Sequence, residues 1–234
     1  MRMTSSFLSR LIELISPRAC VICGGRLAEG EEVLCSVCNL HLPRTGYHRC
    51  ADDNPLAQTF WGKIHIKNAA SLFFYNAHSA SSNILYSLKY RNHPEIGTYM
   101  GRMIAREYMP EGFFDGIDMI IYVPLARKRQ RQRGYNQSRE IALGINQVTG
   151  IPINDNAIVR TSYKGSQTHL NRWGRQENVE TVFSMKEPDG LNGKHILIID
   201  DVVTTGATIA ACAKEISKAG DVFFSVLSIG FAKS

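Results

Sequence analysis

The sequence predicts an α/β fold: a Rossmann-like domain with a mostly parallel sheet, preceded by a small cysteine-rich unit. Three observations carry this. From Lys67 onward, apolar strand-like runs alternate with helical patterns, the order produced when parallel strands are joined by crossover helices. Ile196, Leu197, Ile198 and Ile199 are apolar at every position, as strands buried on both faces are. Five of the six cysteines precede residue 51, ahead of that alternation.

Length and composition frame the rest. At 234 residues, with 44% hydrophobic and 21% charged residues, the chain suffices for one sizeable core plus a small appendage, and its composition is not that of a disordered chain. No apolar run approaches the roughly 18 residues that span a bilayer. The apolar start, Met1 to Ser16, is broken by Arg10 and Glu13 and lacks a small-residue cleavage site. Phe7, Leu11, Leu14 and Ile15 read instead as one face of a short amphipathic helix, and a cytoplasmic protein is expected. The organisation read from these shifts is 1–50 for the helix and cysteine-rich unit, 51–66 for a connector, and 67–234 for the α/β domain. Phe60 and Trp61 mark the connector as a segment that docks.

Within the domain, Ala69 to Tyr75 reads as a strand and Ser81 to Tyr90 as a helix with Ile84, Leu85 and Leu88 inward. Pro94, at a first-turn position, opens a helix through Tyr108. Met119 to Val123 is a short buried strand ended by Pro124, and Asn136 to Val148 the next helix. Ala157 to Arg160 and Thr181 to Phe183 are shorter strands flanking a polar stretch. His195 to Ile199 is the clearest strand, Thr208 to Lys218 a helix, and Val222 to Ile229 the last strand.

The segment HILIIDDVVTTGATIAACAKEI is the most informative. A buried strand runs into Asp200 and Asp201, then a turn, a Thr-Thr-Gly-Ala-Thr loop and an amphipathic helix. A helix start after a parallel strand offers free backbone N–H groups and the positive end of a dipole. Thr204, Thr205 and Thr208 add hydroxyls, and Gly206, beside Ala207, lets the backbone approach a phosphate without a Cβ in the way. Two acids beside such a cup would repel a phosphate, so they must do something else. They suit accepting from sugar hydroxyls, or holding Mg²⁺ as hard oxygen ligands. A ribose 5-phosphate group satisfies both demands.

Formal net charge is +6, and Arg127, Lys128, Arg129, Arg131 and Arg133 put five cations into seven residues. Such a run serves as a solvated loop, an anion site or a nucleic-acid contact; its place after a predicted strand weights the anion site. Gly134, Tyr135, Asn136, Gln137 and Ser138 then open a helix. The polar stretch after Arg160 is too long for a tight connection and reads as a lid in which Lys164, His169, Arg172 and Arg175 would close over an anion.

Cys20-x2-Cys23 and Cys35-x2-Cys38 are two knuckle-like pairs. Four thiolates at this spacing suit tetrahedral, structural Zn²⁺; two disulfides are the alternative, which a cytoplasmic chain disfavours. Cys50 is left over, and Cys212 reads as core.

The run Ile196 to Ile209 resembles the fingerprint of the type I phosphoribosyltransferases. That resemblance implies that Asp200 and Asp201 hold the ribose hydroxyls of phosphoribosyl diphosphate as the catalytic pair, with Thr204, Thr205, Gly206, Ala207 and Thr208 on its 5-phosphate. It further implies that Arg133, Gly134, Asn136, Gln137 and Ser138 grip the diphosphate, with Mg²⁺ carried alongside. The chain as a whole resembles the ComF family, which joins an N-terminal zinc ribbon to a type I phosphoribosyltransferase domain. The residues carrying this are Pro17-x2-Cys20-x2-Cys23-Gly24, Cys35-x2-Cys38, Leu88-Lys89-Tyr90, Val123-Pro124, Arg133-Gly134-Tyr135-Asn136-Gln137 and Ile199-Asp200-Asp201, with Arg160, Thr168, Leu170, Arg172, Arg175, Asn178, Val179 and Phe183 along the polar stretch. Many members carry a further cysteine pair before the main domain; here Asp53 stands where a partner for Cys50 would fall. Two functions follow from the resemblance: Mg²⁺-dependent transfer of a phosphoribosyl group to a nitrogen acceptor, or ligand sensing and single-stranded DNA handling alongside DNA-uptake proteins. Tyr135, Tyr163 and Trp173 are candidate stacking surfaces for a strand.

Overall fold

Residues 18–162 and 181–232 are described by the computed structural model. In chain order they form α1 (Ser36–Leu40), α2 (Pro55–Gln58), β1 (Asn68–Phe74), α3 (Ser82–Tyr90), α4 (Pro94–Tyr108), β2 (Met119–Tyr122), α5 (Arg127–Arg133), α6 (Gln137–Thr149), β3 (Ile158–Ser162), β4 (Thr181–Met185), β5 (His195–Val203), α7 (Ala207–Ile216) and β6 (Phe223–Phe231). The amphipathic helix expected within residues 1–16 lies outside this range.

The main sheet has the order β1-β6-β5-β2 with every pair parallel, as the alternation of strands and helices requires. Its two central strands, β5 and β6, are almost continuously buried. On one face Leu72, Leu197, Ile199 and Leu227 pack with Ile84 of α3, Met100 of α4 and Ile141 of α6. On the other, Ile196, Ile198 and Val226 pack with Ile209 and Ile216 of α7 and with Leu56 and Phe60 of the connector. The cysteine-rich unit adds Cys20, Leu34 and Leu42 to the first of these clusters, so its apolar side chains are buried together with those of the α/β domain.

α4 and α6 touch backbone to backbone. A Cβ on Gly101 would fall 2.1 Å from the Ile141 carbonyl, and one on Gly144 2.1 Å from that of Thr98. This close crossing fixes the start of α6 against the sheet, where the site lies.

Four local features depart from the expected elements. The basic run is a helix, α5, and not a loop: Arg and Gln are good helix formers, and Gly134, left-handed at φ +79°, ends it. It has no apolar stripe, so hydrophobic periodicity is blind to it. The connector contains α2, whose first amides, those of Leu56 and Ala57, are capped by the Asn54 side chain. β5 continues past Ile199 through both acids to Val203, paired with β6 as far as Phe231. α7 stops at Ile216, and a 3₁₀ turn covers Ser217–Ala219. The two short strands pair antiparallel, Ile158 opposite Met185 and Ser162 opposite Thr181.

Candidate functional site

The site begins where β5 leaves the core. Strand side chains alternate between faces: Leu197 and Ile199 lie in one cluster, Ile196 and Ile198 in the other. Past the acids the order is reversed, with Val202 in the first cluster and Val203 in the second. The alternation slips by one residue across Asp200–Asp201, and the backbone N–H of Asp201 donates to Oδ1 of Asp200 at 2.8 Å. Each carboxylate then meets a different helix. Ser138 Oγ, at the start of α6, donates to Asp200 Oδ1 at 3.2 Å. Lys89 Nζ, in the last turn of α3, stands 3.0 Å from Asp201 Oδ2. Burial, then the neighbouring Asp201 charge, push Asp200 up to about 7. The pair is therefore one carboxylate neutralised by a lysine beside one that takes up a proton near neutrality.

After Val203 the chain turns through exposed Thr204 and Thr205 to Gly206. Gly206 is left-handed, φ +69°, and a Cβ there would lie 2.7 Å from Phe60 Cε1. The missing side chain thus makes room for the wholly buried Phe60. α7 starts at once, and among the described residues nothing accepts from the amides of Gly206, Ala207 or Thr208. Thr205, for its part, gives its carbonyl to Lys63 Nζ at 2.6 Å. The five residues assigned to a 5-phosphate form one continuous turn, open at Thr204, Thr205 and Ala207.

The five residues assigned to the diphosphate side divide. Asn136 is buried; its Oδ1 accepts from the N–H of Ser138 (3.0 Å) and Arg139 (3.4 Å), and its Nδ2 donates to the Val123 carbonyl at 3.0 Å. Gln137 is buried too; its Oε1 accepts from Arg133 at 2.8 Å. Ser138 points at Asp200. These three fix the start of α6 relative to β2 and β5. Arg133 and Gly134 border a cleft of about 720 Å³ with Lys89, Arg129 and Arg131. Across α5 lies a second cleft of about 860 Å³, walled by Arg127, Lys128, Arg129, Arg139, Arg160 and Lys186. Asp155, on its wall, is held by Arg139 Nε at 2.8 Å and Tyr122 Oη at 2.9 Å. Both spaces suit an anion. Lys164, His169, Arg172 and Arg175 lie outside the described residues, as do Tyr163 and Trp173.

The four cysteines meet as their spacing predicts. Their Sγ atoms all lie within 4.8 Å of one another, and Cys23 and Cys35 are 3.9 Å apart, close to the roughly 3.8 Å between thiolates placed about 2.3 Å from a tetrahedral zinc. Backbone amides already point at sulfur: Gly25 N–H at Cys23, Cys35 N–H at Cys20 and Cys38 N–H at Cys35, each at 3.4 Å. Burial opposes ionisation of Cys20, but the amides around it, chiefly those of Cys23 and Cys35, outweigh burial and bring the thiol down to about 7. A donor set of four sulfurs with one ready to ionise fits Zn²⁺. Cys50 is exposed and joins no metal-ligating group among the described residues.

Two residues of this site carried no role in the sequence. Lys89 stood only within a quoted motif; its signal is a cation in the last turn of a helix. Lys63 gave none.

No family model matches the chain. It is 28% identical to a DNA utilization protein YhgH of Escherichia coli O157:H7 across 88% of its own length and 94% of that protein's. It is 31% identical to competence protein F of Haemophilus influenzae over 44% of this chain and 45% of that one, and 24% identical to competence protein ComFC of Bacillus subtilis over 91% and 85%. Among solved structures it is similar to the B. subtilis glutamine phosphoribosylpyrophosphate amidotransferase (TM-score 0.37, 21% identity, 56% of this chain, a quarter, 25%, of that one) and to a purine phosphoribosyltransferase of Pyrococcus horikoshii (TM-score 0.36, 19% identity, 61% and 83%).

Two outcomes follow from this geometry. An unfolded aspartate titrates near about 3.9, whereas folded Asp200 titrates at about 7. Between those values the folded chain holds a proton that the unfolded chain has released, so the cost of Asp200 grows from about pH 4 and levels off above about pH 7. Asp200→Asn should therefore stabilise the protein at pH 8, by up to about 4 kcal/mol at about 1.4 kcal/mol for each pH unit separating the two values, with the gain in melting temperature vanishing toward pH 4. For the cysteines, metal analysis should return one zinc per chain. Because Cys20, Leu34 and Leu42 share a core with the sheet, stripping zinc should lower the melting temperature of the entire chain in a single transition, seen by calorimetry.

Proposed function

The chain belongs to the ComF family, and on that premise we propose that it binds phosphoribosyl diphosphate with Mg²⁺ and transfers the phosphoribosyl group to a nitrogen acceptor. This reading treats residues 1–50, 51–66 and 67–234 as zinc ribbon, connector and transferase-like domain in a cytoplasmic protein. The observation that carries it is the acid pair beside an open turn: the strand bearing Asp200 and Asp201 leads into the amides of Gly206, Ala207 and Thr208, which have no acceptor among the described residues. Amides and threonine hydroxyls suit the 5-phosphate; carboxylate oxygens suit the 2′- and 3′-hydroxyls. Asp201 already has a cation at 3.0 Å and Asp200 resists ionisation, which favours hydroxyl donors and a magnesium ion arriving on the diphosphate over a resident ion. That magnesium, when bound, neutralises charge on the leaving group.

In the transfer the bond from C1 to the diphosphate oxygen breaks, its electron pair leaving with diphosphate, and the acceptor nitrogen forms the new bond to C1. The sugar passes through an oxocarbenium-like state, as in glycoside cleavage. The chain's part is to hold the ribose from below, to gather cations around the departing charge and to exclude water. Arg133, packed 5.4 Å from the Tyr90 ring, is the cation we assign to the diphosphate. Asn136, Gln137 and Ser138 set the helix start beside it.

A second reading, handling of single-stranded DNA, is favoured by one observation. Arg127, Lys128, Arg129 and Arg131 line α5 beside open space, and Tyr86 and Tyr90 next to it are 50% and 66% exposed with Arg91 and Arg133 on their rings. Cations interleaved with open rings suit a strand that stacks its bases, and the relatives' names point to DNA utilization and competence.

Calorimetry with phosphoribosyl diphosphate and Mg²⁺ tests the first reading. Binding is expected in the micromolar range, about −8 kcal/mol, and the Asp200→Asn, Asp201→Asn double variant is expected to lose it. If the same variant keeps salt-sensitive retention of an oligonucleotide while Arg129→Glu, Arg131→Glu loses it, both readings hold on separate surfaces. A zinc-loaded protein that ignores the sugar diphosphate at millimolar concentration contradicts the first.

A further inference from the structure

We propose that Lys63, in the connector, is a positioning residue that presets the 5-phosphate loop by holding the Thr205–Gly206 peptide with its N–H toward the ligand. The proposal rests on the reading of Thr204–Thr208 as a sugar-phosphate site and adds how that site is kept ready. Lys63 Nζ donates to the carbonyls of Thr59 at 2.8 Å and Thr205 at 2.6 Å. The first bond anchors the ammonium on the end of the connector helix; the second reaches 142 residues along the chain. No peptide bond here is cis. In a planar trans peptide the C=O of one residue and the N–H of the next point in opposite directions. Drawing the Thr205 carbonyl toward the connector therefore aims the Gly206 N–H away from it.

The amides of Ala207 and Thr208 come next, and none of the three has an acceptor among the described residues. Successive amides around a left-handed residue form an anion-holding hollow, and Gly206 is that residue. A glycine here has a cost. With no Cβ it tolerates either orientation of the preceding peptide, as the difference between type I and type II turns illustrates. Phe60, against the Cα of Gly206, restrains where the turn sits; it has no polar atom with which to choose which way the peptide faces. An ammonium on the carbonyl makes that choice through a charge-assisted bond. It also stands a unit of positive charge behind a loop suited to a dianion.

The test compares wild type, Lys63→Ala and Lys63→Arg by calorimetry with ribose 5-phosphate, and separately with magnesium diphosphate, while amide spectra follow Gly206. Lys63→Ala is expected to weaken ribose 5-phosphate about tenfold, to leave magnesium diphosphate unchanged and to melt close to wild type. Lys63→Arg, which keeps a donor for both carbonyls, should recover most of the loss. The Gly206 amide resonance should move on adding ribose 5-phosphate to wild type and move much less in Lys63→Ala. Equal affinities for wild type and Lys63→Ala, or a Gly206 amide indifferent to bound ligand, overturn this proposal alone. A wild type that does not bind ribose 5-phosphate takes down the reading of the loop and this proposal with it. If Lys63→Ala fails to fold, Lys63→Gln and Lys63→Met carry the same comparison.

Discussion

Gly206 occupies one left-handed position between the central strand β5 and the helix that follows it. Its φ of +69° closes the turn that follows β5 and sets the start of α7, and the space where its Cβ would stand belongs to Phe60. Any other residue would meet both a backbone strain and a collision with a buried ring. From this one constraint the rest of the site takes its place. The turn before it leaves Thr204 and Thr205 exposed, the helix after it opens with amides that have no acceptor among the described residues, and the acids before it stand at the rim of the sheet.

The acids depend on the sheet in a second way. A strand with unbroken alternation would send the two adjacent acids in opposite directions. The slip across Asp200–Asp201 lets helices α3 and α6 reach one acid each, through Lys89 and Ser138. α6 is held in turn by the close approach of its Gly144 to Gly101 of α4, and α3 and α6 both pack on a core to which the cysteine-rich unit contributes. The four-cysteine cluster, distant in sequence from the acids, is thereby linked to their surroundings through packing: Cys20 and Leu88, the neighbour of Lys89, lie in the same apolar cluster. Local order at the site is thus the product of several elements that contribute no contact to a ligand.

Sequence reasoning reached the parts that have a strong local signature. Ile196 to Ile199 announced a buried strand because β5 has neighbours on every side. Cys20, Cys23, Cys35 and Cys38 announced a cluster because two-residue spacing allows one turn to supply two sulfurs. The helices with apolar stripes were legible almost to the residue, Pro94–Tyr108 among them. What escaped has a physical reason in each case. α5 consists of Arg, Lys and Gln alone, so no apolar face betrays it. Lys63 works through two carbonyls, one of which lies near it only after folding. The slip at the acids is a property of the strand's path between two clusters, which no spacing in the sequence records. The side chains of Asn136, Gln137 and Ser138 tie the start of α6 to the end of β2, to α5 and to β5, contacts that residue type alone does not announce, while Arg129, Arg131 and Arg133 on α5 border open space.

The central claim is that one turn and the two carboxylates before it share a single sugar phosphate. A crystal structure of the zinc-loaded protein with ribose 5-phosphate addresses it without intermediaries. The account predicts the phosphorus among the amides of Gly206, Ala207 and Thr208, with both ribose hydroxyls on Asp200 and Asp201 and the Thr205 carbonyl still turned to Lys63. A phosphate bound instead along α5, with the turn empty and its amides facing only water, would contradict it.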